Sequence, residues 1–288
     1  MDVKSVLDRL YATRSPDHLA NDPLSFCHRY SNPADQEVAA VIASAFAYGG
    51  IKIILRTLQS IFAELGTSPR RYIETFKPAE GLRTFSRFKH RFNGSRDLVA
   101  LLWAMRTMIL DAGSVNTFFL RFHDAAAQDI TSTLNGYSAA VRALDYAQVY
   151  GDTALPADSY FPFLFPAPAA GSACKRLCMF LRWVVRPADG IDLGIWQGVS
   201  TSQLIIPVDT HISRICTYLG FSNRKSSDWR MACEITAALR SLDPSDPVKY
   251  DFSLAHLGIS EGCHGADPLH CLSCAIQGIC PQSGTQSR

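Results

Sequence analysis

Residues 206–221 read IPVDTHISRICTYLGF. Pro207 rules out a strand, Asp209 is a good helix N-cap, and Ile212, Ile215, Cys216 and Leu219 recur at helical spacing until Gly220 ends the run. The stretch is therefore an amphipathic helix entered through a carboxylate. The same grammar recurs on either side of it. ADQEVAAVIASAFAYGG (34–50) opens on an acidic turn and stops at Gly49-Gly50. SRDLVALLWAMRTMILDAG (95–113) offers Ser95 as N-cap, Asp97 in the first turn and Gly113 past the end. SSDWRMACEITAALRSLDP (226–244) opens on Ser227 or its neighbour and ends before Pro244. DPVKYDFSLAHLG (246–258) predicts a cap at Asp246 with Pro247 in the first turn. Alternating patterns are scarce, and SQLIIPV (202–208) is broken by Pro207. The expected fold class is all-α. Two stretches read as irregular, YFPFLFPAPAAGSAC (160–174) and RPADGIDLGIWQGVSTS (186–202), both punctuated by Pro and Gly.

The chain of 288 residues is long enough for a substantial core, and its 47% apolar and 19% charged fractions suit an ordered globular protein. No run reaches the length of a membrane helix, and the first residues lack a signal peptide's pattern, so a cytoplasmic protein is expected. Net charge is only +2. The bases are uneven, however: between Arg70 and Arg96 stand eight Lys or Arg against Glu74 and Glu80. At the heart of that segment RTFSRFKHRF (83–92) interleaves bases with Phe85, Phe88 and Phe92. It reads either as an amphipathic surface helix with its rings turned inward or as a backbone-tracking surface with aromatic platforms.

Nine cysteines divide into two groups. Cys27, Cys174, Cys178, Cys216 and Cys233 are scattered through helical stretches, as reduced thiols acting as small hydrophobes. Cys263, Cys271, Cys274 and Cys280 fall in CHGADPLHCLSCAIQGIC (263–280), spaced C-x7-C-x2-C-x5-C. Those gaps make one compact loop around one site, which suits a [4Fe–4S] cube with one thiolate per iron. A tetrahedral zinc site is the alternative. His264 and His270 inside the loop are spectators.

The terminal cysteine loop together with VDTHISR (208–214) some fifty residues upstream resembles the endonuclease III-like helix-hairpin-helix DNA glycosylases. Those enzymes carry a VDTH-x-x-R stretch opening a helix and a C-x6-C-x2-C-x5-C loop that holds a [4Fe–4S] cluster. The likeness is good from about residue 206 to 280 and schematic before. It implies a two-lobed, all-α fold with a cleft between the lobes. N-terminal helices (1–40) would pack with the C-terminal lobe, residues 41–205 would form a helical barrel with a degenerate hairpin at 166–176 and an insert at 186–202, and residues 206–288 would form the cluster lobe. Asp209 falls on the family's catalytic carboxylate, placed to stabilise an oxocarbenium-like sugar. Lys175, opening the helix GSACKRLCMFLRWVVR (171–186), is the best match to the lysine that attacks the sugar in members that are also AP lyases. The resemblance further implies DNA contacts at Gly171, Arg176, His211 and Phe46, and a monomer acting on double-stranded DNA with a damaged or mismatched base.

The sequence departs from that pattern in four places. The glycine-rich hairpin turn is replaced by FPAPAAGSACK (165–175), with Gly171 alone. Lys175 and Asp209 stand 34 positions apart, the extra length being the insert that carries Trp196. Phe46 stands where the family has a gap-filling glutamine, as a wedge or as ordinary core. The loop after Cys263 offers Asp267 where basic residues are usual. A non-catalytic nucleic-acid-binding protein that keeps fold and cluster is therefore the alternative function.

Overall fold

A computed structural model describes residues 2–259, 262–263 and 271–284. His264, Asp267 and His270 lie outside the described residues. The thirteen α-helices among them are α1 (Val3–Ala12), α2 (Pro33–Ala45), α3 (Ile51–Leu65), α4 (Pro69–Glu74), α5 (Pro78–Thr84), α6 (Ser95–Ala112), α7 (Val115–Leu120), α8 (Thr131–Arg142), α9 (Ala147–Tyr150), α10 (Lys175–Val185), α11 (Thr210–Tyr218), α12 (Trp229–Leu242) and α13 (Asp251–Ile259). One antiparallel pair, β1 (Lys89–His90) and β2 (Asn93–Gly94), is the sheet. The protein is mainly helical. Among the described residues no helix is long and apolar enough to cross a membrane.

The helix at the centre is α2. Past its first turn its sequence is apolar nearly all round, and residues 37–45 are buried without a break. It packs on α10 and on the 3-10 turn Pro23–Arg29. Its two acids are buried because other elements need them. Asp35 accepts the backbone N–H of Arg70, and Glu37 accepts those of Val115 and Asn116 at the start of α7. Glu37 also accepts the Trp196 indole N–H at 2.8 Å. A single carboxylate thus caps one helix and pins the 186–202 insert, whose Trp196 lies in the core. At the other end, α11 packs along α13, and α13 meets α1. The buried apolar residues form one cluster from Val6 to Ile276.

Three helix boundaries differ from expectation. The cap before α6 is Gly94, with Ser95 already inside the helix; the Asp97 carboxylate reaches back to the Gly94 N–H at 2.8 Å. The last helix begins at Asp251, not at Asp246, because the Asp246 carboxylate is taken by the Arg186 guanidinium at 2.9 Å. The 83–92 segment is not a continuous helix. α5 stops at Thr84, and the chain turns through a hairpin whose tip is Arg91-Phe92. Phe85 is buried and Phe88 half-buried, whereas Phe92 is exposed.

Candidate active-site cleft

A cleft of about 1290 Å³ runs between α10, the start of α11, α13, the start of α3 and the first 3-10 turns. Asp209 stands on its wall as the N-cap of α11, where the preceding Pro207 and the following apolar stripe leave only its carboxylate to meet the helix's open N–H groups. Oδ1 accepts the N–H groups of His211 and Ile212, each at 2.9 Å. Oδ2 faces the Lys175 ammonium at 3.6 Å. Capping occupies one oxygen and the cleft keeps the other.

Lys175 is the first residue of α10. The helix is entered through Cys174, one of two non-glycine residues with positive φ (+47°) among the described residues. No side chain caps that start. A left-handed non-glycine residue costs on the order of 1–3 kcal/mol, and such residues gather at functional sites. Here the strain is held by the Ser172 hydroxyl, which accepts the Cys174 N–H at 3.1 Å, and by the Cys174 thiol, which donates to the Ser172 carbonyl at 3.4 Å. The kink sets Lys175 opposite Asp209. Both side chains retain partial exposure, 34% and 21%, so the pair is solvated and not locked.

The Cys174 thiol also lines the cleft. Burial pushes its pKa up to about 12, far from the thiolate range. Cys27, Cys178 and Cys216 are buried and raised by the same cause, and Cys233, half-buried, is pushed to about 11.

Beneath this pair lies a floor that the sequence did not point to. Arg182 on α10 ion-pairs with Asp192 and Asp251, and Asp192 is shared with Arg186. Both carboxylates keep Arg182 cationic against the cost of its burial. Burial pushes Asp251 up to about 6, with Arg182 opposing. Asp22, from the opposite end of the chain, is also raised by burial. His256 on α13 meets the His18 ring edge-on at 5.1 Å, and burial, followed by the charges of His18 and Arg182, lowers it to about 4. His18 and Asp22 come from near the start of the sequence, Arg182 and Asp192 from its interior, and Asp251 and His256 from near its end, so no local spacing announces them.

Of the DNA-contact residues expected from sequence, His211 and Arg176 line the cleft, and Gly171 and Phe46 do not. His211 lines the cleft, directly against Gly258, where its ring would meet any added Cβ at 2.4 Å. Gly171 is exposed at φ +78° with open space around it, closing the short turn Pro168–Ala170. Arg176 is 93% buried by contrast with its neighbour: it donates to the carbonyls of Ala45 and Phe163 and lies over the rings of Tyr48 and Phe163. It also lines the cleft. Phe46 is wholly buried against Phe88 and His90, so it is core and not a wedge.

The cysteine segment is tied to the cleft through the motif that first marked it. Arg214, five residues after Asp209, donates to the Cys263 carbonyl, and the Cys263 N–H returns to Leu257 on α13. Cys271 and Cys274 are joined by one turn, and Cys280 closes on Ile276, which is buried in the core. Cys263 is buried, and Cys271, Cys274 and Cys280 are half-buried. Among the described residues no three His, Cys, Asp or Glu side chains are grouped as metal ligands. In donor chemistry, four thiols within eighteen residues fit a thiolate-bound iron–sulphur cube or zinc.

Residues 22–260 match the family described as protein of unknown function (DUF2400). No curated protein matches the chain, and no solved structure does.

Proposed function

The chain belongs to that family, and for it we propose a DNA base-excision glycosylase of the two-lobed helix-hairpin-helix type, with Lys175 and Asp209 as its reacting pair. The observation that carries the reading is the approach of Lys175 Nζ to Asp209 Oδ2, 3.6 Å, across a cleft larger than the 300–1,000 Å³ of ordinary small-molecule pockets. Two residues 34 positions apart meet where a flipped nucleotide can enter. Asp209 Oδ2 stabilises positive charge on the sugar as the N-glycosidic bond lengthens. Lys175 Nζ, once it has passed a proton to that carboxylate or to water, attacks C1′. The base departs with the bonding electron pair and is protonated, and opening of the sugar ring leaves an imine on Nζ. Elimination from that imine is the AP-lyase step.

Cys263, Cys271, Cys274 and Cys280 are the residues that would hold a [4Fe–4S] cluster, with zinc the alternative. When bound, such a group supplies structure to the segment that Arg214 grips and takes no part in the chemistry. Iron and acid-labile sulphide found in equal amounts in the purified protein, without zinc, support the cluster.

The test of function is single-turnover base release from lesion-bearing oligonucleotides, with borohydride trapping. Base release by the wild type, lost in Asp209→Asn, with a trapped adduct lost in Lys175→Ala, supports the reading. DNA binding with no base release from any lesion, unchanged in Asp209→Asn, overturns it in favour of the non-catalytic binding protein.

A further inference from the structure

Beside the cleft the β1–β2 hairpin builds a ledge that the glycosylase reading leaves unused. Its tip residue Arg91 is the second left-handed non-glycine residue, at φ +52°. The strained turn throws Arg91 and Phe92 outward instead of into the core. Phe92 stacks on Tyr160 with ring centroids 5.7 Å apart and meets Phe163 edge-on at 6.2 Å. These three rings are 49%, 51% and 42% exposed, a large open aromatic surface for a chain that buries most of its phenylalanines. Phe163 is at once part of the ledge and part of the cleft wall.

The ledge is rigid. Tyr48 donates to the His90 carbonyl and bonds Asn93, the Asn93 amide donates to the Tyr160 carbonyl at 3.1 Å, and His90 is held between Thr57 and the Tyr48 carbonyl. From below, the buried Arg176 supports the rings of Tyr48 and Phe163. Lys52, which lines the cleft with Phe163, Lys89 of β1 and the tip residue Arg91 are exposed, and none forms an ion pair among the described residues. Cations set beside exposed rings are complementary to a polyanion with bare base faces.

Resting on the reading of the cleft as a DNA site, we propose that this ledge binds single-stranded DNA, its unpaired bases stacking on Phe92, Tyr160 and Phe163, and delivers that strand to Lys175 and Asp209. A duplex keeps its base faces internal and offers such rings nothing to stack on. Of the duplex-reading residues sought in the sequence, Phe46 is core, Arg176 is buried beneath Tyr48 and Phe163, and Gly171 is the single glycine of its turn. The substrate class is therefore an unpaired strand.

Fluorescence anisotropy with labelled oligothymidine, its duplex with oligoadenosine, and oligouridine tests this on the full chain. Oligothymidine is expected to bind tightest. Phe92→Leu, which keeps apolar volume without an aromatic face, and Tyr160→Ala are each expected to weaken it about tenfold. Tyr160→Phe keeps the ring and is expected to bind as wild type, as is Leu110→Ser, an exposed apolar residue away from the ledge. Lys89→Glu is expected to flatten the salt dependence. Equal or tighter binding of duplex or of oligouridine overturns the proposal, as does unchanged binding in both Phe92→Leu and Tyr160→Ala. The two readings fail separately. Ring-dependent strand binding without base release leaves the ledge standing and removes the glycosylase; base release with ring-independent binding does the reverse.

Discussion

The two ends of α10 carry the same kind of charge in opposite settings. At its C-terminal end Arg186 is 96–97% buried and bonds Asp192, Asp189, Asp246 and the Tyr11 hydroxyl. A cation there also suits the negative end of the helix dipole. At the N-terminal end Lys175 opposes the dipole, is one-third exposed, and meets a single carboxylate at 3.6 Å. One end is built to stay put, tying the insert, α1 and the chain before α13 together. The other is left loosely paired, where a proton or a sugar can intervene.

The largest effect is expected at the fixed end. Arg186→Met leaves Asp192 to Arg182 alone and takes the guanidinium from Asp246, and should cost about 3 kcal/mol in urea denaturation. Equal loss in Lys175→Met would erase the contrast; that variant is expected to stay within about 0.5 kcal/mol of wild type while losing the borohydride adduct. Next comes the insert. Trp196→Phe removes the indole N–H from Glu37 at a buried site and should cost about 1–3 kcal/mol, measured the same way. Asp209→Ala removes a helix cap at about 1 kcal/mol, whereas Asp209→Asn preserves capping and base release should fall without a stability change.

The smallest effect is a slope. His256 is lowered to about 4 by burial, so the fold favours its neutral form. The unfolded chain takes up a proton near its ordinary value, about 6.5, before the fold does. Stability from this group is therefore complete above that value and is lost as pH falls through the window to about 4. Thermal melting across that range should decline less steeply in His256→Phe than in wild type.

Local signals were legible where one residue settles one terminus. Asp209 and Gly113 read as caps and are caps. Helical spacing likewise marked α2, α6, α11 and α12, each of which buries apolar residues at that spacing. Two kinds of feature were not legible. The hairpin tip needs a left-handed residue, and the chain supplies Arg91 where the usual signal is Gly or Asn, so 83–92 looked helical. The cleft floor joins His18 and Asp22 to Asp251 and His256, a meeting of chain ends that periodicity cannot foresee. Lys175 and Asp209 were paired in advance only through the resemblance; neither residue's surroundings in sequence point to the other.

The hydrogen bond from Arg214 to the Cys263 carbonyl makes α11 a lever with its two ends in different business. One end presents the cleft carboxylate, and little more than one helical turn along, the other holds the strap that leads to the terminal cysteines. On the proposed reading, oxidation of those sulphurs is expected to reach Asp209 through this bond. An oxidised preparation should lose turnover while its cleft side chains remain chemically intact.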